Sequence, residues 1–460
     1  MSPMMKTGRS ASSLKRAGRR FSLCVEILEF RSLLSTAAQI QWSIAPNFAP
    51  DPNRGGQVDL PNTSAYVNPP NGYDVLLDAS RSRGITPRSS FLWTITGSAG
   101  KTTIVEGEKP NLDLLEGSYS VLLEADNLKG AAKPAFASTT VLVKDILIVS
   151  IGDSVASGEG NPVVPGYFFF RAAQWAYSAD PAMNLENANA HRSTLAGPAQ
   201  FALAVQAGDP HVAVTFVSVA NSGASIAQGV LSPMPSIGDP SYILPPEINE
   251  LRQIIGTHPI DVMTVSIGAN DIGFSTRVEQ LITNTLFDTP SLNTIQTQVN
   301  AALSTLPQQY AQLGQAIQTF HPGKVLITEY PDLTRNNRGK IAPIVFSDVN
   351  IISKSNVRFA LNNILNPLDA AVKTAAGANG WTYVGGLSSD FRTHGYPSTN
   401  SWFRDLNDSY EIEDSRDGAF HPNAAGHLAI ARRLLAAYSP STGFGASRRY
   451  LNGTKHRASA

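Results

Sequence analysis

Ser154 stands where an apolar run, Asp145-Ile-Leu-Ile-Val-Ser-Ile151, breaks into Gly152-Asp153-Ser154 and then into small residues as far as Gly160. A serine on a tight turn at the end of a buried strand has its hydroxyl free to act as a nucleophile. Acyl transfer then needs a base for the serine proton and donors aimed at the developing oxyanion. His421, in Asp414-Ser-Arg-Asp-Gly-Ala-Phe-His421-Pro-Asn-Ala-Ala-Gly-His427, can be the base. Gly223, in Val219-Ala-Asn-Ser-Gly223-Ala-Ser225, offers a backbone N–H with no side chain in the way. Asn270, in Ser266-Ile-Gly-Ala-Asn270-Asp-Ile-Gly-Phe274, offers a carboxamide N–H. Each has a plainer explanation taken singly: Gly223 and the Asn270-Asp271 pair suit turns, and His421 before Pro422 suits the start of a helix. His427 falls within that helix and reads as structural. The argument for chemistry is that all four motifs follow one another at successive strand ends.

Those strand ends come from an alternating pattern that begins at Lys144. Strands are expected over Ile146–Ile151, Val212–Ala220, Asp261–Ile267, Lys324–Glu329 and Trp381–Val384. Helices are expected over Ala196–Ala207, Pro246–Ile255, Ile295–Phe320, Ser355–Ala376 and Asn423–Tyr438. Near-continuous apolar strands between helices imply a parallel sheet covered on both faces. Right-handed crossovers then give an α/β domain of three layers with a flavodoxin-like order, whose chemistry sits at the carboxyl ends of the strands.

GDSVASGEGNP, ANSGAS, IGANDIGF and FHPNAAGH resemble the four blocks of the GDSL, or SGNH, hydrolase family, over residues 145–438. The resemblance implies a serine esterase or lipase that cleaves carboxylic esters through an acyl-enzyme. Ser154 would be nucleophile, His421 base, and Ser154 N–H, Gly223 and Asn270 the oxyanion hole. The segment His191-Arg-Ser193 resembles secreted bacterial members with a GDSxxSGEG block. Three departures stand out. Ala269 replaces the second glycine of Gly-Gly-Asn-Asp, and Ala190 and Asn221 stand where secreted relatives often carry cysteines. The family's acid, three residues before the histidine, is here Gly418. Asp417, one residue early, is the expected orienting acid; a backbone carbonyl is the alternative, and Asp414 a third choice. The aromatic loop Tyr167-Phe-Phe-Phe170, Trp175 and the Ser232–Gly238 loop suit either an acyl pocket or loop packing.

Residues 41–144 read as an all-β module, with strands around Tyr73–Ser80, Ser90–Ile95, Gly117–Glu124 and Thr139–Lys144 and with Trp93 and Tyr119 facing inward. LDASRS, FLWTITG and LLEGSYSVLLEADNLKG resemble PKD and related immunoglobulin-like sandwiches, for which a spacer role is expected ahead of carbohydrate binding. Residues 1–40 combine basic residues, an interrupted apolar run and small residues, and resemble a bacterial Leu-Glu-x-Arg-x-Leu-Leu-Ser export segment, so a disordered leader and a secreted or cell-envelope protein are expected. Residues 439–460 read as a basic disordered tail. The 36 Lys and Arg balance the 36 Asp and Glu, which argues against a nucleic-acid partner. No apolar stretch suits a bilayer span. The single cysteine, Cys24, lies in the leader, which excludes disulfides and thiolate metal sites from the rest. No metal or cofactor is called for. The expected substrate is a small-molecule, lipid or polysaccharide ester. The competing readings are a polysaccharide O-deacetylase and a non-catalytic surface protein with a vestigial hydrolase domain.

Overall fold

The computed structural model describes residues 37–130, 133–167, 171–281, 290–346, 351–438 and 450–451. Nearly all of the expected leader, the basic tail apart from residues 450–451, and the phenylalanines 168–170 lie outside the described residues.

Strands Asp145–Gly152, Ala213–Ser218, Val262–Ser266, Lys324–Thr328 and Thr382–Val384 form one parallel sheet in the order second, first, third, fourth, fifth. This is the doubly wound order whose topological switch lies beside the first strand. All eight residues of the first strand are buried, which is why it reads as an unbroken apolar run. Helices Gly197–Gln206 and Ala424–Tyr438 pack against each other, while Leu292–Gln318 packs against Asn366–Asn379. The helix expected over Ser355–Ala376 is not continuous. An α-helical turn, Lys354–Ala360, passes into a π-helical stretch, Leu361–Leu365, before Asn366–Asn379 resumes. Pro367 has no N–H for the carbonyl one turn back, and a widened turn absorbs the mismatch.

The amino-terminal region is β-rich. Gln41–Ile44, Tyr73–Asp78 and Asn111–Leu114 make one antiparallel sheet; Thr102–Glu106, Ser90–Gly97, Gly117–Asp126 and Ala135–Val143 make a second, in that spatial order. Both sheets share one core, with Val75 and Leu77 from the first and Trp93, Val121 and Leu123 from the second. Trp93 is fully buried and its indole N–H reaches the Gly107 carbonyl at 2.8 Å. Tyr119 only flanks that core and donates to the Leu115 carbonyl. Within the stretch expected to form the β module, Phe48, Leu60 and Val67 pack into the core of the parallel-sheet domain. The segment between strands Gln41–Ile44 and Tyr73–Asp78 therefore packs with the neighbouring domain.

At the carboxyl end of the parallel sheet the first and third strands come into backbone contact. Asp153 N–H donates to the Ser266 carbonyl at 2.8 Å, and Gly152 has φ +130°. A Cβ at Gly152 would fall onto that same carbonyl. Gly152→Ala is therefore expected to abolish soluble, folded protein, checked by expression yield and thermal melting beside the wild type.

Candidate active site

The turn after the first strand continues directly into a single helical turn, Ser154–Ser157, capped by the Asp153 carboxylate on Val155 N–H at 3.0 Å. This places Ser154 at a helix N-terminus. Its own N–H, like that of Gly223, has no protein acceptor among the described residues. Gly223 takes φ +85°, a left-handed conformation that glycine adopts without strain. The Asn270 carboxamide donates one hydrogen to the Ala224 carbonyl at 2.8 Å, which leaves the other available. Ser154, Gly223, Asn270 and His421 all line one cavity of about 890 Å³. His421 Nε2 lies 2.7 Å from Ser154 Oγ. The four residues expected from separate motifs are thus brought together.

Asp417 does not take the expected part. Its carboxylate is not bonded to His421, whose buried Nδ1 has no hydrogen-bond partner among the described residues. The reason is the turn that carries it. Ala419 N–H bonds back to Arg416, His421 N–H bonds to Gly418, and Asp417 N–H bonds to Ser415 Oγ. That turn presents backbone carbonyls of residues 417–419 to the ring instead. Burial holds His421 below the usual histidine range, opposed by the Glu159 charge and by those carbonyls. Asp414 caps the Leu406–Glu413 helix in a left-handed conformation and is exposed. His427 is buried, accepts Gly197 N–H at 3.0 Å and is driven down to about 3 by burial, in keeping with a structural part.

Two carboxyl groups that the motifs did not single out, Glu247 and Glu250, hold this arrangement. Glu247, wholly buried, accepts Gly152 N–H at 2.7 Å and Asn221 N–H at 3.1 Å, tying the serine turn to the Gly223 turn. Arg192, also wholly buried, makes two 2.7 Å bonds to Glu250 and further bonds to the carbonyls of Val219 and Ala220 and to the Asn221 side chain. Ser222 N–H bonds to the Ala190 carbonyl. An ionic clamp therefore joins the two segments where relatives often have cysteines. The His-Arg-Ser motif was the available sign of it; nothing local marked Glu247 or Glu250 apart from their spacing on an amphipathic helix.

The cavity wall includes Ile237, Phe274, Val278, Leu333, Phe346 and Phe420. Ile237 comes from the Ser232–Gly238 loop, whereas Trp175 stacks on His191 away from that wall. Among the described residues no cluster of His, Cys, Asp and Glu is arranged to hold a metal ion, and no helix is long and apolar enough to cross a membrane.

A doubly wound α/β domain with a serine hydroxyl on an imidazole beside spare N–H donors is the arrangement of an ester-bond hydrolase. The profile of the GDSL-like Lipase/Acylhydrolase family matches residues 150–429, and the chain belongs to that family. Among solved structures it is similar to an extracellular lipase from Streptomyces rimosus, at 19% identity and TM-score 0.42, covering 65% of this chain and 100% of that one. It is also similar to an acetylxylan esterase from Geobacillus stearothermophilus, at 13% identity and TM-score 0.33, covering 65% and 96%. A carbohydrate acetylesterase from Xanthomonas citri matches at 13% identity and TM-score 0.28, covering 79% and 70%. Superpositions this loose carry no argument about substrate. No curated protein matches the chain.

Glu247→Ala would strand two buried N–H groups at the strand ends, at a cost of about 3 kcal/mol. A lowered denaturation midpoint with unchanged slope in urea is the expected result.

Proposed function

We propose that the chain is an exported serine esterase that attacks carboxylic esters through Ser154, with His421 as general base. Ser154 N–H, Gly223 N–H and the Asn270 carboxamide would receive the oxyanion. The observation that carries this reading is the 2.7 Å contact between Ser154 Oγ and His421 Nε2 at a large, mainly apolar cavity. In it, the hydroxyl proton passes to Nε2 as Oγ bonds to the ester carbonyl carbon. The imidazolium then returns that proton to the departing alcohol. Water repeats the sequence on the acyl-enzyme and restores Ser154.

The cavity is large by the standard of small-molecule sites and its aromatic and aliphatic wall suits an acyl chain longer than acetyl. That favours the lipase and esterase reading over polysaccharide deacetylation. Export is supported by the amino-terminal segment and its resemblance to a bacterial export signal. The two antiparallel sheets around Trp93 support an immunoglobulin-like or PKD-like spacer.

Purified protein and Ser154→Ala should be compared on p-nitrophenyl acetate, butyrate and palmitate and on acetylated xylan. Loss of activity in the variant is expected, and equal rates would end the serine mechanism. Each methylene that enters the apolar cavity contributes about 0.8 kcal/mol, so butyrate should exceed acetate by about tenfold in kcat/KM. A preference for acetylated xylan would favour the deacetylase instead. Because His421 must be neutral to accept the proton, kcat/KM should rise with pH through its pKa. Burial lowers that value, so the acid limb should lie below the ordinary histidine range. A titration of rate between pH 4 and pH 8 (on the order of the range spanned by carboxylates and histidine) checks this.

A further inference from the structure

Gly418 occupies the position where a side-chain acid is expected, and the space such a side chain would need is already filled. A Cβ there would stand 2.5 Å from Glu413 Oε2 and 2.8 Å from the Gly160 Cα. The neighbour of Gly160 in the chain is Glu159, which has no exposed surface. Its carboxylate receives His191 Nδ1 at 2.8 and 3.0 Å, and the His191 ring is held flat against Trp175, with ring centres 4.3 Å apart. His191 reaches this place through a left-handed backbone, φ +51°, which costs energy for a residue with a Cβ. Asn161 pins the same segment to the histidine loop by donating to the Pro422 carbonyl at 2.7 Å, and Arg404 does so by donating to the Gly160 carbonyl at 2.8 Å.

We propose that Glu159, paired with His191, is the positioning residue that supplies the negative charge behind His421 in place of the missing acid. The inference rests on Ser154 and His421 acting as described above. Its burden is electrostatic. When Ser154 yields its proton to Nε2, the ring becomes cationic, and a buried carboxylate close by stabilises that cation without taking a proton itself. The charged groups around Glu159 keep it ionised. Burial alone would raise its pKa, but the charge and hydrogen bond of His191 outweigh burial and hold it below the usual carboxylate range. Burial of His191 is likewise outweighed by the Glu159 charge, so its pKa is raised. Burial first, and then the Glu159 charge, push the Glu413 carboxyl up. Arg404 acts on Glu413, and Asp417 acts on His191.

The test uses the full chain and p-nitrophenyl butyrate, with kcat and KM followed across pH. Glu159→Gln keeps the size of the side chain and removes the charge. It should lower kcat by about a hundredfold with KM little changed. The acid limb should move to lower pH by about one unit, because the imidazolium has lost a nearby anion. Unchanged kcat, or a lower kcat with an unmoved limb, overturns the proposal, the second by reducing Glu159 to a packing role. The same signature in Asp417→Asn with none in Glu159→Gln would assign the part to Asp417. Should Glu159→Gln fail to fold by melting and circular dichroism, His191→Gln decides. Without that cation burial favours the protonated form of Glu159, so the limb should again move to lower pH, and a limb unmoved or moved to higher pH would overturn the charge coupling. Ser154→Ala run in parallel separates the two levels: persistent activity there refutes the serine mechanism itself, whereas a normal Glu159→Gln refutes only this inference.

Discussion

The contact on which the site depends is made of backbone alone. Gly152 lies against the Ser266 carbonyl, and Asp153 N–H bonds to it, so the ends of the first and third parallel strands cannot separate. From that point the chain turns straight into the helical turn bearing Ser154, whose N–H has no acceptor among the described residues. Asn270 follows four residues after Ser266, in the turn just past the end of that third strand. One close approach thus ties the turn bearing Ser154 to the segment bearing Asn270. Any side chain larger than a hydrogen at residue 152 would force the two strands apart.

Around this contact lies a concentration of buried carboxyl groups. Glu247 receives two backbone N–H groups, Arg192 and Glu250 form a two-pronged pair, and Glu159 holds His191. Buried charges of this kind add little net stability compared with apolar packing, since desolvation offsets most of the attraction. Their value lies in direction: each fixes a loop that has no regular secondary structure of its own. With its only cysteine at position 24, the chain joins the Ala190 and Asn221 segments by hydrogen bonds to Arg192 and between backbones. Removing one partner from such a pair leaves the other uncompensated, so the network is far more costly to break than it is profitable to form.

Much of the domain was legible before any coordinates. The five strands read correctly because both faces of the sheet are covered, which leaves continuous apolar runs such as Ile146–Ile151. The conjunction of Ser154, Gly223, Asn270 and His421 was legible because strand ends in this topology converge. Less visible were features that depend on residues distant in the chain. The π-helical stretch at Leu361–Leu365 follows from Pro367 meeting a helix that must still pack on Leu292–Gln318. The loop carrying Phe48 and Leu60 was assigned by position to the β module, yet its apolar residues find their partners in the next domain.

The sequence by itself determined the chemistry on offer: a serine, a histidine and two donors, each on a motif whose local turn signals are strong. Local residues suffice there because glycine, asparagine and small side chains dictate backbone shape over a few positions. Only the tertiary structure decided that Asp417 is not bonded to the histidine. Asp417 looked close enough along the chain, but the turn through Gly418 and Ala419 presents carbonyls, and the space is occupied by Glu413 and the Gly160 backbone. Glu159 lies 262 positions before His421 in sequence, and the two come into electrostatic reach only when the sheet brings the first strand's exit against the final helix's approach. Charge acts through space, and distance in space is what the order of residues alone does not specify.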